Sequence, residues 1–215
     1  MRGMKRSLFY LLLAGLSFAM NAQELQTIRL NEPDKKGGLT VMEAFSNRMS
    51  VREFSTKPLS MQDLSDLLWA TIGVNRPQTG LRTAPSWRNY QEIDVYVCRR
   101  EGVYLYNYKT HVLEPFIKGD FYSLIATNGQ KFVEDAPVIL LLVADFEKMR
   151  EESTPHMVIA GIDAGIVSQN ISIFCAGKNM VTVPRGFMDK EELKKALKLK
   201  ETQHIILNHP VGYAK

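Results

Sequence analysis

The chain has 215 residues, 45% of them hydrophobic and 23% charged, with a formal charge of +4. This is enough for one sizeable domain with its own core. Removing residues 1–22 takes away Arg2, Lys5 and Arg6 and no acid, so +4 becomes +1, and the basic balance argues for no nucleic-acid or membrane partner.

The first residues read as a targeting signal. Arg2, Lys5 and Arg6 form a positive start, and Leu8 to Met20 is an apolar run of thirteen residues, short for a bilayer span. Asn21-Ala22-Gln23-Glu24 then turns polar, with Ala22 as the small residue before a cut. Residues 1–22 are therefore expected to be a cleaved bacterial-type secretory signal. The mature chain would be exported to the periplasm without a stable membrane anchor. An uncleaved N-terminal anchor is the alternative. No Cys lies near the cut, which argues against a lipoprotein.

Residues 23–39, with Pro33, Gly37 and Gly38, read as an extended arm, and residues 40–215 as the folded domain. Thr40-Val41-Met42-Glu43 has the form of a capping box opening a helix. Arg48 and Ser50 fall where that helix ends, and Arg52 lies in the extended chain after it. Arginine forks match phosphate oxygens bidentately, and a serine between them adds a donor. Such a cluster suits a phosphate monoester. Read alone, it better suits a solvated basic helix end.

Ser60 to Asp63 caps a second helix, with Met61, Leu64, Leu67, Leu68 and Ile72 on one face and Gly73 at its end. Residues 74–90 read as loop. Asp94–Arg99 alternates as a strand, and Gly102 turns the chain into a second strand over 103–107. A helix is expected around 121–126. After Pro137, the continuous apolar run Val138–Ala144 has the pattern of a central strand covered on both faces. Thr154-Pro155 starts a helix reaching about Lys178, with Thr as cap. It is apolar nearly all round and carries Gly161 and Gly165, so every side needs covering, and a second subunit is one way to do it. Residues 189–199 read as a short amphipathic helix, and 204–208 as a last strand before Pro210. The fold class is α+β, a mixed sheet of four or five strands wrapped by helices. Cys98 and Cys175 read as buried thiols, with a disulfide left open by export. The four histidines have no ligand spacing, so neither a metal site nor a Cys/His nucleophile pair is expected.

Six patterns, in order, carry a resemblance. They are Arg48-x-Ser50-x-Arg52-x-Phe54; Pro85-Ser86-Trp87-Arg88-Asn89-Tyr90-Gln91; Asp135-Ala136-Pro137; Gly161 to Gly165 with Gln169-Asn170; Pro184-Arg185-Gly186-Phe187; and Pro210-Val211-Gly212-Tyr213. Each is weak alone. Together they resemble the nitroreductase-like flavoproteins over residues 40–215. Gly102 to Tyr106, His111 to Leu113, Gly119-Asp120 and Arg82 to Ser86 resemble the branch of dehydrogenase subunits, SagB-type, that oxidise azoline rings in peptides.

The resemblance implies a nitroreductase-like fold and an entwined homodimer that binds FMN at the subunit interface. Arg48, Ser50 and Arg52 would contact the FMN phosphate and ribityl chain. Pro85, Ser86 and Trp87 would come from the partner and lie against the ring. Pro184, Arg185 and Gly186 would pass beside its reactive edge, and Asn128 or Gln130 would reach its pyrimidine edge. Many relatives have an acid where Arg185 stands, so the charge beside the ring would be reversed. Many also carry Lys and Arg after the Pro-Val-Gly segment, where this chain has Lys215. The implied activity is hydride transfer from NAD(P)H through FMN to a small-molecule acceptor such as a quinone or nitroaromatic. The alternatives are azoline oxidation on a peptide and a non-catalytic flavin-dependent or flavin-free binding protein. Read without the resemblance, Trp87 caps a hydrophobic loop, Asn170 is a core hydrogen-bonder and Asp163 a helix or interface partner.

Overall fold

The apolar run after Pro137 forms the middle of a seven-stranded sheet. The elements follow in the order β1 (Ile28–Arg29), α1 (Val41–Asn47), α2 (Met61–Ile72), β2 (Val74–Arg76), β3 (Leu81–Arg82), β4 (Ile93–Arg99), β5 (Gly102–Asn107), β6 (Val112–Lys118), α3 (Tyr122–Ile125), β7 (Val138–Asp145), α4 (Phe146–Met149), α5 (Thr154–Gly177), β8 (Met180–Thr182), α6 (Lys190–Ala196) and β9 (Gln203–Tyr213). Short 3-10 turns lie at Trp87–Asn89 and Lys131–Asp135. The computed structural model describes residues 24–127, 129–150 and 153–215. The expected signal over residues 1–22 and the site residue Asn128 lie outside the described residues.

The sheet order is β1-β6-β5-β4-β7-β9-β8, and each of these pairings is antiparallel. All eight residues of β7 are buried. Alternation divides them between two cores. Val138, Leu140, Leu142 and Ala144 meet α2 and α5, whereas Ile139, Leu141 and Val143 meet α3 and α6. β4 splits the same way, with Val95 and Val97 toward α5 and Tyr96 and Cys98 toward α3. Cys98 and Cys175 are free thiols on opposite sides of the sheet, which answers the pairing question, and burial pushes both thiols up.

Helix ends follow their caps. Thr40 Oγ1 accepts the Glu43 N–H at 3.3 Å, and Glu43 Oε2 accepts the Thr40 N–H at 2.8 Å. Ser60 Oγ accepts the Asp63 N–H at 3.0 Å, and α2 stops at Gly73. For α5 the cap is Ser153, one residue before the expected Thr154, which instead begins the helix. α5 is the one helix among the described residues long and apolar enough to cross a membrane, and here it packs against the sheet with Ala160, Ala164, Val167, Ile171 and Cys175 buried.

Three features depart from expectation. The sheet has seven strands rather than four or five, because β6 and the two short edge strands β1 and β8 join it. β6 contains Pro115, which reads against a strand, yet the residue sits where the register with β5 slips, a place that tolerates a missing N–H. β9 continues through Pro210 to Tyr213, because a single proline removes only one ladder donor. Residues 74–90 contain the β2–β3 hairpin and a 3-10 turn rather than plain loop.

Candidate active site

The segment after α1 is pinned along the sheet edge. The Arg48 N–H closes α1 on Ala44 O, the Val51 N–H donates to Thr182 O at 3.1 Å, and the Ser55 N–H donates to Tyr213 O at 2.9 Å. Phe54 is buried and stacks on Phe132 with centroids 6.4 Å apart. Gly212 lets this crossing happen: a Cβ there would lie 2.8 Å from Pro137 Cδ and 3.3 Å from Phe54 Cδ1. These bonds draw the turn after α1, β8 and the C-terminus around one cleft of about 510 Å³, lined by Asn47, Met49, Val51, Ser172, Thr182 and Ala214 among others.

Arg48, Ser50 and Arg52 are exposed on this segment, with Lys215 beyond Ala214. Neither guanidinium is hydrogen-bonded or ion-paired among the described residues. Met49 and Val51 are the residues of this segment that line the cleft, and the uncommitted donors that alternate with them suit the phosphate end of FMN. The chemistry of the donor set is what carries this fit.

Arg185 differs. It is 6% exposed, and its fork is closed inside the chain. Nε donates to Gln130 Oε1 at 2.7 Å, Nη1 to Asn208 Oδ1 at 2.9 Å and to Ile125 O at 3.3 Å, and Nη2 to Phe187 O at 3.1 Å. Its backbone also bridges Asn208, N to O at 2.9 Å and O from N at 2.8 Å. Burial lowers its pKa. The guanidinium therefore works as a strut that ties β9 to Ile125 and Gln130 and holds Gln130 in place. Pro184, Gly186 and Phe187, its neighbours, face outward. Gln130 and Arg185 meet in one place, with the arginine side chain turned under the strand.

Behind the cleft lies a network that sequence reading missed. His209 is fully buried; its Nε2 meets Ser168 Oγ at 2.7 Å and its Nδ1 meets Thr182 Oγ1 at 3.1 Å. Thr182 Oγ1 donates to Pro210 O at 2.8 Å, so it accepts from Nδ1–H, and Nε2 accepts from Ser168. Burial brings the His209 pKa down to about 3, so the ring is neutral and both nitrogens are satisfied. No spacing pattern in the sequence marks it.

The loop of Pro85, Ser86 and Trp87 is built by the residues of its own pattern. Ser86 Oγ accepts the Gln91 N–H at 2.9 Å, and Gln91 Nε2 donates to Asn89 Oδ1 at 3.1 Å. Arg88, Asn89 and Gln91 have φ values of 49°, 56° and 54°. The Trp87 N–H donates to Asp163 Oδ2 at 2.8 Å, and its ring meets Tyr90 and His156 edge-on, each at 5.5 Å. Asp163 is thus a helix partner, as expected, and Asn170 Nδ2 donates to Thr71 O at 3.2 Å. The loop rests on the first half of α5, whereas Ser172 and Cys175 line the cleft. From Asp163 to Cys175 is roughly 18 Å along a helix rising 1.5 Å per residue. Within one chain, the loop and the cleft do not form one site.

The antiparallel sheet wrapped by helices, with a cleft at its edge and a tryptophan loop displaced from it, defines the nitroreductase class of fold. The chain belongs to the Nitroreductase family, whose sequence pattern matches residues 45–213. A protein of Methanocaldococcus jannaschii named as a candidate nitroreductase is 28% identical over 195 residues, covering 86% of this chain and 96% of that protein. The crystal structure of a candidate nitroreductase from Ralstonia eutropha superposes with a TM-score of 0.82 at 34% identity, covering 91% of each chain. The Escherichia coli microcin synthetase McbBCD complex, solved with truncated pro-MccB17 bound, contains a chain with the same fold: TM-score 0.69, 18% identity, 98% of this chain and 85% of that one.

Proposed function

We propose that this chain is an FMN-dependent oxidoreductase that works as a homodimer and passes hydride from NAD(P)H to a small acceptor such as a quinone or nitroaromatic. The observation that carries this reading is the uncommitted Arg48–Ser50–Arg52 row on the segment whose Met49 and Val51 line a cleft of about 510 Å³, in a chain of the Nitroreductase family. FMN, when bound, would supply the hydride-accepting and hydride-donating centre. The chain's own residues bind and orient. Arg48, Ser50, Arg52 and Lys215 would hold the phosphate and ribityl end. Pro184 and Gly186 would present backbone at the ring, and Gln130, fixed by Arg185, would reach its pyrimidine edge with Asn128. Trp87, with Pro85 and Ser86, would cover the ring of a second subunit, because the loop lies far along α5 from its own cleft. In this reading the signal over residues 1–22 exports the mature chain to the periplasm.

The dimer is supported by apolar surface. Val41 is 64%, Met42 76%, Val158 60% and Ile162 58% exposed, on α1 and α5. A Cβ at Gly161 or Gly165 meets nothing within 4 Å, so that face is open for a second helix. Exposed apolar groups of this density mark an interaction surface.

Azoline oxidation is the second reading. In the structure, the residues that suggest it are turn and packing positions: Gly102 lies against Leu25 and Ile117, His111 bonds Tyr106 and Asn31 in a left-handed turn, and Gly119 has φ 138°. They support shared ancestry more than a shared substrate. Anaerobic mixing tests the first reading: the purified chain should be yellow with FMN and bleach with NADH or NADPH. Yellow protein that does not bleach favours the azoline reading, and a colourless chain that refuses FMN ends both in favour of the non-catalytic one.

A further inference from the structure

Glu92 is fully buried where the Trp87 loop enters β4, and apart from its own N–H no hydrogen-bond donor among the described residues is turned toward its carboxyl oxygens. What faces it is a second buried acid, Asp163 of α5, within hydrogen-bonding range. Two ionised carboxylates are both acceptors, so this contact becomes a hydrogen bond only when one of them carries a proton. Asp163 Oδ2 also accepts the Trp87 N–H at 2.8 Å, so the pair is joined directly to the loop. We propose that Glu92 and Asp163 share a single proton, and that the shared proton positions the Trp87 loop for the flavin ring of the second subunit. The last clause rests on the FMN homodimer reading; the shared proton does not.

The surroundings support this assignment. Burial first, then the adjacent Asp163, raise the Glu92 pKa to about 7. The opposing cation is Arg82, which is itself buried. Its Nη1 donates to Ile93 O at 3.3 Å, its face lies 4.7 Å from Tyr108, and its Nε has no partner among the described residues. Asp94, ion-paired to Lys148 at 2.6 Å, and Tyr108 act on Arg82 from the other side. His156 of α5 meets the Trp87 ring edge-on, and Arg88 of the loop lies 4.7 Å over the same ring. With the proton in place, Glu92 donates to Asp163 and Asp163 holds Trp87. Without it, two like charges face each other in an apolar setting and separate. Gln91 joins Glu92 directly, and Arg88, Asn89 and Gln91 are already in left-handed backbone, so displacing either acid moves the loop. The sign is set by the raised value: the neutral Glu92 belongs to the latched loop, which is complete at low pH and is lost as pH rises through about 7.

Trp87 reports the effect. The chain has two tryptophans, so Trp69→Phe leaves Trp87 as the sole emitter. Fluorescence of the full chain from about pH 5 to 9 should show one transition near pH 7. Glu92→Gln keeps a donor to Asp163 and removes the proton; the transition should vanish, with emission held at the low-pH value. Asp163→Asn removes the second charge and offers Glu92 a donor; the midpoint should fall by about one unit or more. His156→Phe should leave the midpoint in place. A parent without a transition, a Glu92→Gln chain that titrates like the parent, or a transition lost in His156→Phe overturns the proposal. Should Glu92→Gln fail to fold, the Asp163→Asn midpoint decides alone: unmoved, it overturns the proposal. FMN uptake is scored by absorbance in the same samples. A colourless chain with the titration intact removes the flavin reading and leaves the shared proton standing.

Discussion

Arg48 and Arg52 differ from Arg185 in what surrounds their forks. The first two are exposed on the segment after α1, and the third is closed on carbonyl and amide oxygens. Arg48→Ala or Arg52→Ala should therefore leave the unfolding midpoint nearly unchanged and weaken FMN binding about tenfold each, the scale of one charge-assisted hydrogen bond. A fluorescence titration with FMN checks it. That Arg48, Ser50 and Arg52 stay together on one exposed segment was legible in the sequence, because short spacing on one segment survives any fold. The closed fork of Arg185 was not, because its partners Gln130 and Asn208 lie 55 and 23 residues away. His209 was equally hidden. Its folded pKa is depressed to about 3, so its contribution to stability is present above the ordinary histidine value of about 6.5 and is lost as pH falls toward 3. Urea unfolding should show stability dropping from pH 7 to 4, and His209→Gln should reduce that drop.

At the scale of elements, the caps were the readable part. Thr40 with Glu43, Ser60 with Asp63, and Gly73 fixed the ends of α1 and α2, because each acts within four residues. β7 was readable as well, since seven apolar residues in line after Pro137, Val138 to Ala144, have the pattern of a strand covered on both faces. β6 and β8 were not: one carries a proline at a register slip, and the other is three residues held by β9 alone. Two glycine substitutions separate packing within the chain from packing between chains. Gly212→Ala forces a Cβ into Pro137 and Phe54 and should cost about 1–3 kcal/mol of stability by denaturant unfolding. Gly161→Ala meets nothing within the chain and gains helix propensity, about 0.5–1 kcal/mol for an isolated chain. If the glycine face seats a second α5, the same change should instead weaken self-association.

In the proposed reading the whole molecule carries half a site on each of two surfaces: the cleft beside β8, and a tryptophan loop some 18 Å away along α5. Exposed Val41, Met42, Val158 and Ile162 offer the apolar cover that would bring the two surfaces together across a two-fold axis. The central claim is that two chains complete what one cannot. Sedimentation velocity of the mature chain titrated with FMN, followed at a flavin wavelength and at a protein wavelength together, tests this most directly. The account predicts flavin absorbance travelling only with a species of twice the chain mass, at one FMN per chain. Flavin carried by a monomer, or a dimer that sediments without it at saturating FMN, would contradict the account.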